Sequence, residues 1–325
     1  MTNRTNSSAA SRRRFLKKCG QVTTAASLAP FLSAEMPFAY GSETGSPKPA
    51  RAFYESLTQA QRKVICLPEN SKLRSRISAN WSVTKPIIGD DFYTAKQRQL
   101  IHEILKHITS EEGYERLIRQ MEDDDGGIEF YTVGFFGTPG TPGWQWMLAG
   151  RHVTLRADPN HNDNLAFGGS LVYGHGEESR PENNLYYSHT KAVNEVFQAL
   201  DAKQAKDALL KNAPEQTKIK VQGAEGKFPG VAVSDFSSDQ KELLSQTMKT
   251  LLSGFREADV KESMRVIDAG GGIESLKMAF YQQGDLESDK VWDAWRIEGP
   301  SMVWNFRGFP HVHAYINIRS GNQNA

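Results

Sequence analysis

The sequence predicts an α+β fold in which helices pack on antiparallel strands. Amphipathic helix patterns alternate with short runs of aromatic and β-branched residues, and this alternation occurs twice along the chain. A 38% share of apolar residues is enough for a large core. We therefore expect two pseudo-repeated units of helix followed by antiparallel strands, joined in one sheet assembly, with a helical excursion between them.

The first segment has the features of an export signal. Residues 11–17, Ser-Arg-Arg-Arg-Phe-Leu-Lys, fit the twin-arginine pattern at every defined position. The modestly apolar run 22–34 that follows is shorter than the ~20 residues that span a bilayer. Residues 1–40 are thus predicted to be a twin-arginine signal segment. The export machinery would be a partner, the mature protein would be periplasmic or secreted, and no membrane contact would remain after signal removal.

The rest of the chain is predicted to be a Gly/Ser/Pro linker over 41–50 and a single α+β domain over 51–325 that begins with a short helix at 53–64. Beyond residue 40 the chain has 33 basic and 37 acidic residues. Because no basic stripe is available to neutralise phosphates, nucleic acid is not an expected partner. Cys66 is the only cysteine of this part, so an intramolecular disulfide is excluded.

Two pseudo-repeats, at about 91–156 and 235–307, are predicted inside this domain. Four short motifs recur in order at offsets of 143 to 149 residues, and a Gly-Gly-Ile-Glu motif is the clearest of them. Each copy begins with an amphipathic helix and continues into strand-type runs. The insertion 157–229 separates the copies and contains a predicted helix from about 190 to 210.

The segment 311–319 has the sharpest alternation in the chain. Val312, Ala314, Ile316 and Ile318 form one apolar set, and the other set begins with two histidines. Because successive side chains of a strand face opposite ways, His311 and His313 are predicted to project together from a polar face, about 6 to 7 Å apart. A solvent-facing histidine pair is the alternative.

Two further histidines are candidate ligands. Read as a strand, residues 150–156 place His152, Thr154 and Arg156 on one polar face. His175 lies in a glycine-flanked turn, Tyr-Gly-His-Gly, where its side chain can be aimed at a site. We therefore expect His152 and His175 to join His311 and His313 around one metal ion, although exposed positions would explain each histidine as well.

Other residues are candidates for catalysis and for substrate binding. Glu129 and Glu274 follow Gly-Gly-Ile in both repeats and are a candidate acid and base pair, although each could equally cap a strand. Candidate substrate-binding residues are two cations for an anionic group and two aromatic rings for stacking: Arg156, Arg319, Tyr315 and Trp144.

Several motifs together resemble the family designated domain of unknown function 3500. They are Trp-x-Trp-x-Leu-x-Gly-Arg-His at 144–152, Phe-Phe-Gly-x-Pro at 135–139, Ala-Phe-Gly-Gly at 166–169 leading to Tyr-Gly-His at 173–175, and Gly299-Pro300 followed by His311-x-His313. The similarity covers nearly all of the chain after the signal. It implies a secreted protein and a shared site, but no particular reaction.

Two positions depart from the family pattern. Many members have Gly-His-His where this chain has Gly150-Arg151-His152, so Arg151 replaces a histidine of those relatives. Members often continue after the His-x-His pair with an acidic Arg-Asp stretch, and here the chain runs Asn-Ile-Arg at 317–319. A ligand from that tail is therefore not expected.

Together these features predict an exported, metal-dependent enzyme with a histidine-rich site that acts on a small organic or anionic substrate. An all-imidazole set suits zinc, copper or iron. Zinc would activate water for a hydrolytic or lyase reaction, whereas copper or iron would imply oxidation. The alternative is a non-catalytic periplasmic protein that binds its ligand by aromatic stacking.

Overall fold

The computed structural model describes residues 48–157, 170–176, 184–216 and 219–319. The predicted signal segment 1–40 and the Ala-Phe-Gly-Gly motif at 166–169 lie outside these residues. All of the described residues belong to one compact unit.

A mixed sheet of eleven strands runs through the described part of the chain and confirms the predicted α+β class. The strands are β1 (Cys66–Leu67), β2 (Thr132–Phe136), β3 (Gln145–Gly150), β4 (Val153–Ala157), β5 (Leu171–His175), β6 (Leu209–Leu210), β7 (Val231–Ala232), β8 (Lys277–Tyr281), β9 (Ala294–Gly299), β10 (Met302–Arg307) and β11 (Val312–Ile318).

Eight α-helices occur in the described ranges, and no described helix has both the length and the hydropathy needed to cross a membrane. The helices are α1 (Lys48–Ser56), α2 (Gln59–Ile65), α3 (Ala95–Ile108), α4 (Glu111–Asp125), α5 (Tyr187–Gln198), α6 (Ala202–Ala208), α7 (Ser238–Leu251) and α8 (Glu257–Ala269).

The strand order has the same pattern on both sides of its centre. It reads β1-β2-β3-β4-β5-β11-β10-β9-β8-β6, with β7 beside β8. On each side a two-residue strand pairs in parallel with the first strand of a four-stranded antiparallel series. The last strands of the two series, β5 and β11, pair antiparallel at the middle. The C-terminal strands of the two halves are therefore neighbours at the centre of the sheet.

Matching glutamines connect equivalent helices in both halves. The amide of Gln61, at the start of α2, hydrogen-bonds to that of Gln97 at the start of α3. Gln204 and Gln240 make the same pair of bonds between α6 and α7. Each of the four is the third residue after a helix N-cap and closes a capping box. The order of elements is thus repeated, and descent from one duplicated unit stays a prediction.

The two faces of the sheet have different environments. One face packs against the helices in the main core, which contains Val312, Ala314, Ile316 and Ile318 as the alternation predicts. The other face is covered by loop segments near residues 77–83 and 219–221 in smaller apolar clusters. Polar side chains of the central strands lie on this second face, from which His311 and His313 project at the start of β11.

Some elements differ from the sequence prediction at helix boundaries. The predicted linker 41–50 ends earlier, because α1 begins at Lys48. The helix predicted over 53–64 is two helices, separated where Thr58 caps α2. The helix predicted over 190–210 ends at Gln198, and Asp201 then caps α6 with bonds to the backbone of Lys203 and Gln204. In the last two cases an N-cap side chain starts a new helix inside the segment that was predicted as one helix.

Candidate metal centre

His311 and His313 lie at the turn between β10 and β11. The turn contains a cis peptide bond between Phe309 and Pro310, and β11 begins directly after His311. Both side chains are partly buried, and their Nε2 atoms are 2.9 Å apart. His313 pairs across the strands with Gly174 of β5 and Arg307 of β10. The predicted convergence of this histidine pair is thus present in the structure.

His152 reaches the same place from the turn between β3 and β4. Gly150 pairs with Val153, so His152 lies in a two-residue hairpin turn and not in a continuous strand as predicted. Its φ of 54° is in the left-handed region, which is uncommon for a residue with a side chain. The backbone N–H donates to Ala79 O at 2.5 Å, and Gln120 Nε2 donates to the carbonyl at 3.2 Å. The surrounding contacts hold this strained conformation in place.

The three histidines converge on one point. One ring nitrogen from each of His152, His311 and His313 lies within 4.8 Å of the others. Their ring centroids are 4.6 to 4.9 Å apart. Glycines make room for the His152 ring, because a Cβ at Gly174 would lie 3.2 Å from His152 Cβ and one at Gly176 would lie 3.1 Å from His152 Cε1. The cluster therefore combines one residue of the first half with two of the second.

Asp124 fixes the orientation of His152. Its Oδ2 lies 2.9 Å from His152 Nδ1, and only 1% of the carboxylate side chain is exposed. Oδ1 accepts from the backbone N–H of Gly176 at 2.5 Å. A carboxylate on Nδ1 leaves Nε2 of the same ring for a metal, which is the usual outer partner of a metal-binding histidine. The three aspartates at the C-terminus of α4 are unfavourable for the helix dipole and are held there by such contacts.

Gln216 contacts His313 at Nδ1, the ring nitrogen on the other side of the imidazole from His311. The amide nitrogen of Gln216 donates to His313 Nδ1 at 3.1 Å, and its oxygen accepts from Arg307 Nε at 3.0 Å and Nη1 at 3.3 Å. The Tyr315 hydroxyl lies 3.3 Å from the same amide group. Gln216 thus connects the imidazole to an arginine and a tyrosine on the polar face of the sheet.

Burial keeps two of the histidines neutral. It lowers the pKa of His313 to about 2, with Arg307 as the next cause, and it lowers the pKa of His311 with help from His152 and Arg307. A neutral imidazole has a lone pair to give to a metal, whereas a protonated one has none. The environment therefore maintains the ligand form of both rings at neutral pH.

His175, predicted as a fourth ligand, lies outside the cluster. It pairs with Val312 across the strands, so it shares the helix-side face with Val312 and not the face of His313. Its Nε2 lies 3.3 Å from Asp123 Oδ2, and Leu185 N–H donates to its Nδ1 at 3.5 Å. Both ring nitrogens are therefore engaged by the protein.

The two arginines predicted to bind an anion lie away from the cluster. Arg156 is 3% exposed and donates to the carbonyls of Arg74 and Arg76, which uses its guanidinium to hold a loop. Arg319 follows the last residue of β11, six residues beyond His313, or about 20 Å along a strand. Neither side chain is positioned to contact a ligand of the histidines.

Glu129 and Glu274 do not form a facing pair. They precede β2 and β8, which are seven strand spacings apart in the sheet, about 34 Å for a flat sheet. Both residues are exposed, and Glu274 forms an ion pair with Lys241. The predicted acid and base pair is therefore wrong, because equivalent positions in the two halves lie far apart near the ends of this strand order.

The predicted stacking residues lie in different environments. Trp144 is fully buried in the main core and packs on Phe135, so its ring is not presented to a ligand. Tyr315 is on the polar face, where its ring centroid lies 6.4 Å from that of His313. Of the two aromatic candidates, only Tyr315 is beside the histidine cluster.

Three polar residues of the site were missed by the sequence reasoning. Asp124 belongs to an acidic run that is typical of a solvated helix end, and Gln216 has no local pattern. Arg307 had a usable signal, because a Gly-Phe-Pro turn between strand-type runs places it opposite His311, on the face of the histidine pair; the observed partner is His313, two residues further on. Hairpin pairing applied to that turn would have found it.

The fold and the cluster define an α+β protein with three converging imidazoles at the centre of a two-half sheet. The model of the family described as "Protein of unknown function (DUF3500)" matches residues 46–320, and the chain belongs to this family. No curated protein and no solved structure matches the chain.

Proposed function

We propose that this protein is a metal-dependent enzyme whose ion is bound by His152, His311 and His313. The observation that carries the proposal is the convergence of three ring nitrogens within 4.8 Å, supplied by two separate turns. The strained backbone of His152 and its buried Asp124 partner support it, since both hold one ring in a fixed orientation at a cost in stability.

The spacing of the cluster suits a transition metal. Two nitrogens bound to one ion at about 2.1 Å in tetrahedral geometry lie about 3.4 Å apart. The contact of 2.9 Å between His311 and His313 is slightly shorter than this, and the 4.8 Å limit of the cluster is longer. Small side-chain rotations would therefore bring all three nitrogens to bonding distance. Neutral imidazoles suit zinc, copper or iron and fit calcium or magnesium poorly.

Three protein ligands favour catalysis over a structural role. Structural zinc sites use four protein ligands, whereas catalytic sites keep one position for water or substrate. A bound zinc ion would supply an activated water for a hydrolytic or lyase reaction, and copper or iron would supply redox chemistry. His311 and His313 are only partly buried, which leaves a side of the cluster for a small organic or anionic substrate.

The alternative, a non-catalytic protein that stacks aromatic rings on a ligand, has less support. Trp144 has no exposed surface, and Tyr315 is 6% exposed. A stacking site needs accessible ring faces, and the predicted rings do not provide them.

Metal analysis of the purified full chain tests the proposal. We expect about one equivalent of a transition metal per chain, or stoichiometric uptake of added Zn²⁺. The double substitution His311→Ala with His313→Ala should abolish this uptake. The matched double substitution His102→Ala with His107→Ala removes two imidazoles from α3 and should leave it unchanged. Equal metal binding by both double variants would reject the site.

We also propose that residues 11–17 direct export by the twin-arginine machinery, so that the enzyme acts in the periplasm or outside the cell. The machinery recognises the paired guanidinium groups. Replacement of Arg12 and Arg13 by Lys should leave the precursor in the cytoplasm, and normal periplasmic accumulation of that variant would contradict the proposal.

A further inference from the structure

We propose that Arg307 binds an anionic group of the substrate beside the metal, and that Gln216 releases Arg307 for this role when the metal binds. The inference rests on the metal site proposed above. It identifies the substrate class as small molecules that carry a carboxylate or a phosphate-type group.

Two arginines lie next to the cluster: Arg151, which forms an ion pair with Asp125, and Arg307. Arg307 is the last residue of β10, it pairs across the strands with His313, and it is partly buried. Among the described residues no carboxylate forms an ion pair with it, and no carboxylate shifts its pKa. Its partner is the neutral amide of Gln216. The guanidinium is therefore held in place without being neutralised.

The orientation of Gln216 determines where the proton of His313 lies. Every guanidinium nitrogen is a donor, so the amide oxygen of Gln216 has to face Arg307 and its NH₂ group faces His313. His313 Nδ1 then accepts, and the proton of the neutral ring lies on Nε2. That Nε2–H points to His311 Nε2 at 2.9 Å. In this arrangement a proton occupies the nitrogen that the metal needs.

Metal binding reverses this arrangement. The lone pair of His313 Nε2 is needed for the ion, so that nitrogen gives its proton to water and Nδ1 takes one from water, which leaves the ring neutral. Nδ1–H then needs an acceptor. A half-turn of the Gln216 amide places its oxygen 3.1 Å from Nδ1 and 3.3 Å from the Tyr315 hydroxyl. The NH₂ group now faces Arg307, two sets of donors meet, and the guanidinium is released.

The released arginine lies beside a site that favours anions. Three neutral imidazoles leave a divalent ion with its full charge, and Arg307 adds a second cation about one strand spacing away. A guanidinium binds the two oxygens of a carboxylate or phosphate-type group in a planar fork. A small anion can therefore contact Arg307 and present its reacting group to the ion.

The arrangement makes metal and anion binding mutually favourable. Each ligand removes the Gln216–Arg307 contact that opposes the other, and such coupling is reciprocal by thermodynamic linkage. Typical coupling between two sites changes affinity by about 5- to 150-fold. We expect about tenfold here.

The experiment measures Co²⁺ affinity of the full chain by its visible absorption, with and without a saturating anion. Acetate and methylphosphonate are the two anion probes, so that a carboxylate preference is distinguished from a phosphate-type preference. In the wild type the preferred anion should raise Co²⁺ affinity about tenfold. Arg307→Gln should still bind Co²⁺ but should bind the anion at least tenfold more weakly. Arg319→Gln removes the same charge from the far end of β11 and should behave as the wild type.

Gln216→Glu separates the coupling from the charge of Arg307. A carboxylate accepts from His313 Nδ1–H and from Arg307 together, so this variant should keep Co²⁺ binding while losing the anion. Equal anion affinity of the wild type and Arg307→Gln would overturn the inference and leave the metal site intact. Equal anion affinity with and without Co²⁺ in the wild type would overturn the role of Gln216. If the wild type binds no Co²⁺, the proposed function falls and this inference with it.

Discussion

The two halves of the sheet use the same hairpin turn for different purposes. In the first half Arg151 and His152 connect β3 to β4, and in the second Pro300 and Ser301 connect β9 to β10. His152 adopts a left-handed backbone and points into the histidine cluster, whereas Ser301 has no positive φ and is fully buried. Ser301 lies against Gly270 at the end of α8, where a Cβ at the glycine would clash with its Oγ. One turn places an imidazole in the histidine cluster, and its equivalent fills space in the core.

The helices behind these turns differ in the same way. Helix α4 ends in three aspartates, and its Asp124 holds His152. Helix α8 has Asp268 near the same end, and this residue is exposed. Matching positions in the two halves thus serve as test and control. A change at the first-half position should alter the affinity for the proposed metal, and the same change at the second-half position should not.

The largest contrast is expected from the turn residues themselves. His152→Ala removes a proposed ligand and should lower metal affinity at least 100-fold, because only two imidazoles would remain to bind the ion. Ser301→Ala should leave metal affinity within about twofold of the wild type. Titration with Zn²⁺ in competition with a chelator measures both. Comparable losses in the two variants would show that the turns act only through the fold.

A smaller contrast is expected from the helix ends. Asp124→Asn should weaken metal binding by about 10- to 100-fold, because the amide orients His152 less well than a buried carboxylate does. Asp268→Asn is the matched change on α8 and should have no effect on metal binding. The same chelator competition measures both, and unchanged affinity in Asp124→Asn would remove the carboxylate from the site.

The sequence predicted the local features of the site and not its distant partners. Alternation over 311–319 was enough to place His311 and His313 on one face, because strand side chains repeat every two residues. His152 was placed in a strand, because Gly-Arg-His-Val alternates and lacks the Asn-Gly signal of a hairpin turn. Asp124 and Gln216 contact the histidines only through tertiary folding, and no local periodicity encodes such contacts.

The fold was predictable to a similar extent. The helix-then-strand order and the α+β class follow from periodicity, whereas the eleven-strand order depends on long-range pairing that no window of sequence contains. The missed helix breaks had a signal, since Thr58 and Asp201 both stand three residues before a glutamine. Capping boxes would have located them.

His189 is a buried histidine outside the cluster, and it should make the stability of the protein depend on pH. It lies on α5, its Nδ1 is 3.0 Å from the Tyr173 hydroxyl, and burial lowers its pKa to about 3. The unfolded chain takes up a proton near pH 6.5, whereas the folded chain does not until about pH 3. The free energy of unfolding should therefore fall by about 1.4 kcal/mol per pH unit between these values as the pH is lowered.

Urea unfolding of the wild type and of His189→Gln between pH 6.5 and 4 measures this slope. Carboxylates titrate in both proteins, so the difference between the two slopes isolates His189. The variant should be less stable at pH 7 and should lose stability more slowly on acidification. Parallel pH profiles would mean that the buried histidine is protonated in the folded protein.

The smallest contrast concerns the backbone of the two turns and has opposite signs. At position 152 the φ of 54° strains any residue with a Cβ, so His152→Gly should be more stable than His152→Ala by about 1 kcal/mol. At position 301 φ is not positive, and glycine gains only unfolded-state freedom, so Ser301→Gly should be less stable than Ser301→Ala by about 0.5 to 1 kcal/mol. Chemical denaturation of the four variants without metal gives both differences. Opposite signs at the two turns would show that backbone strain is specific to His152, the proposed metal ligand. The same sign at both turns would remove strain from the argument for the site.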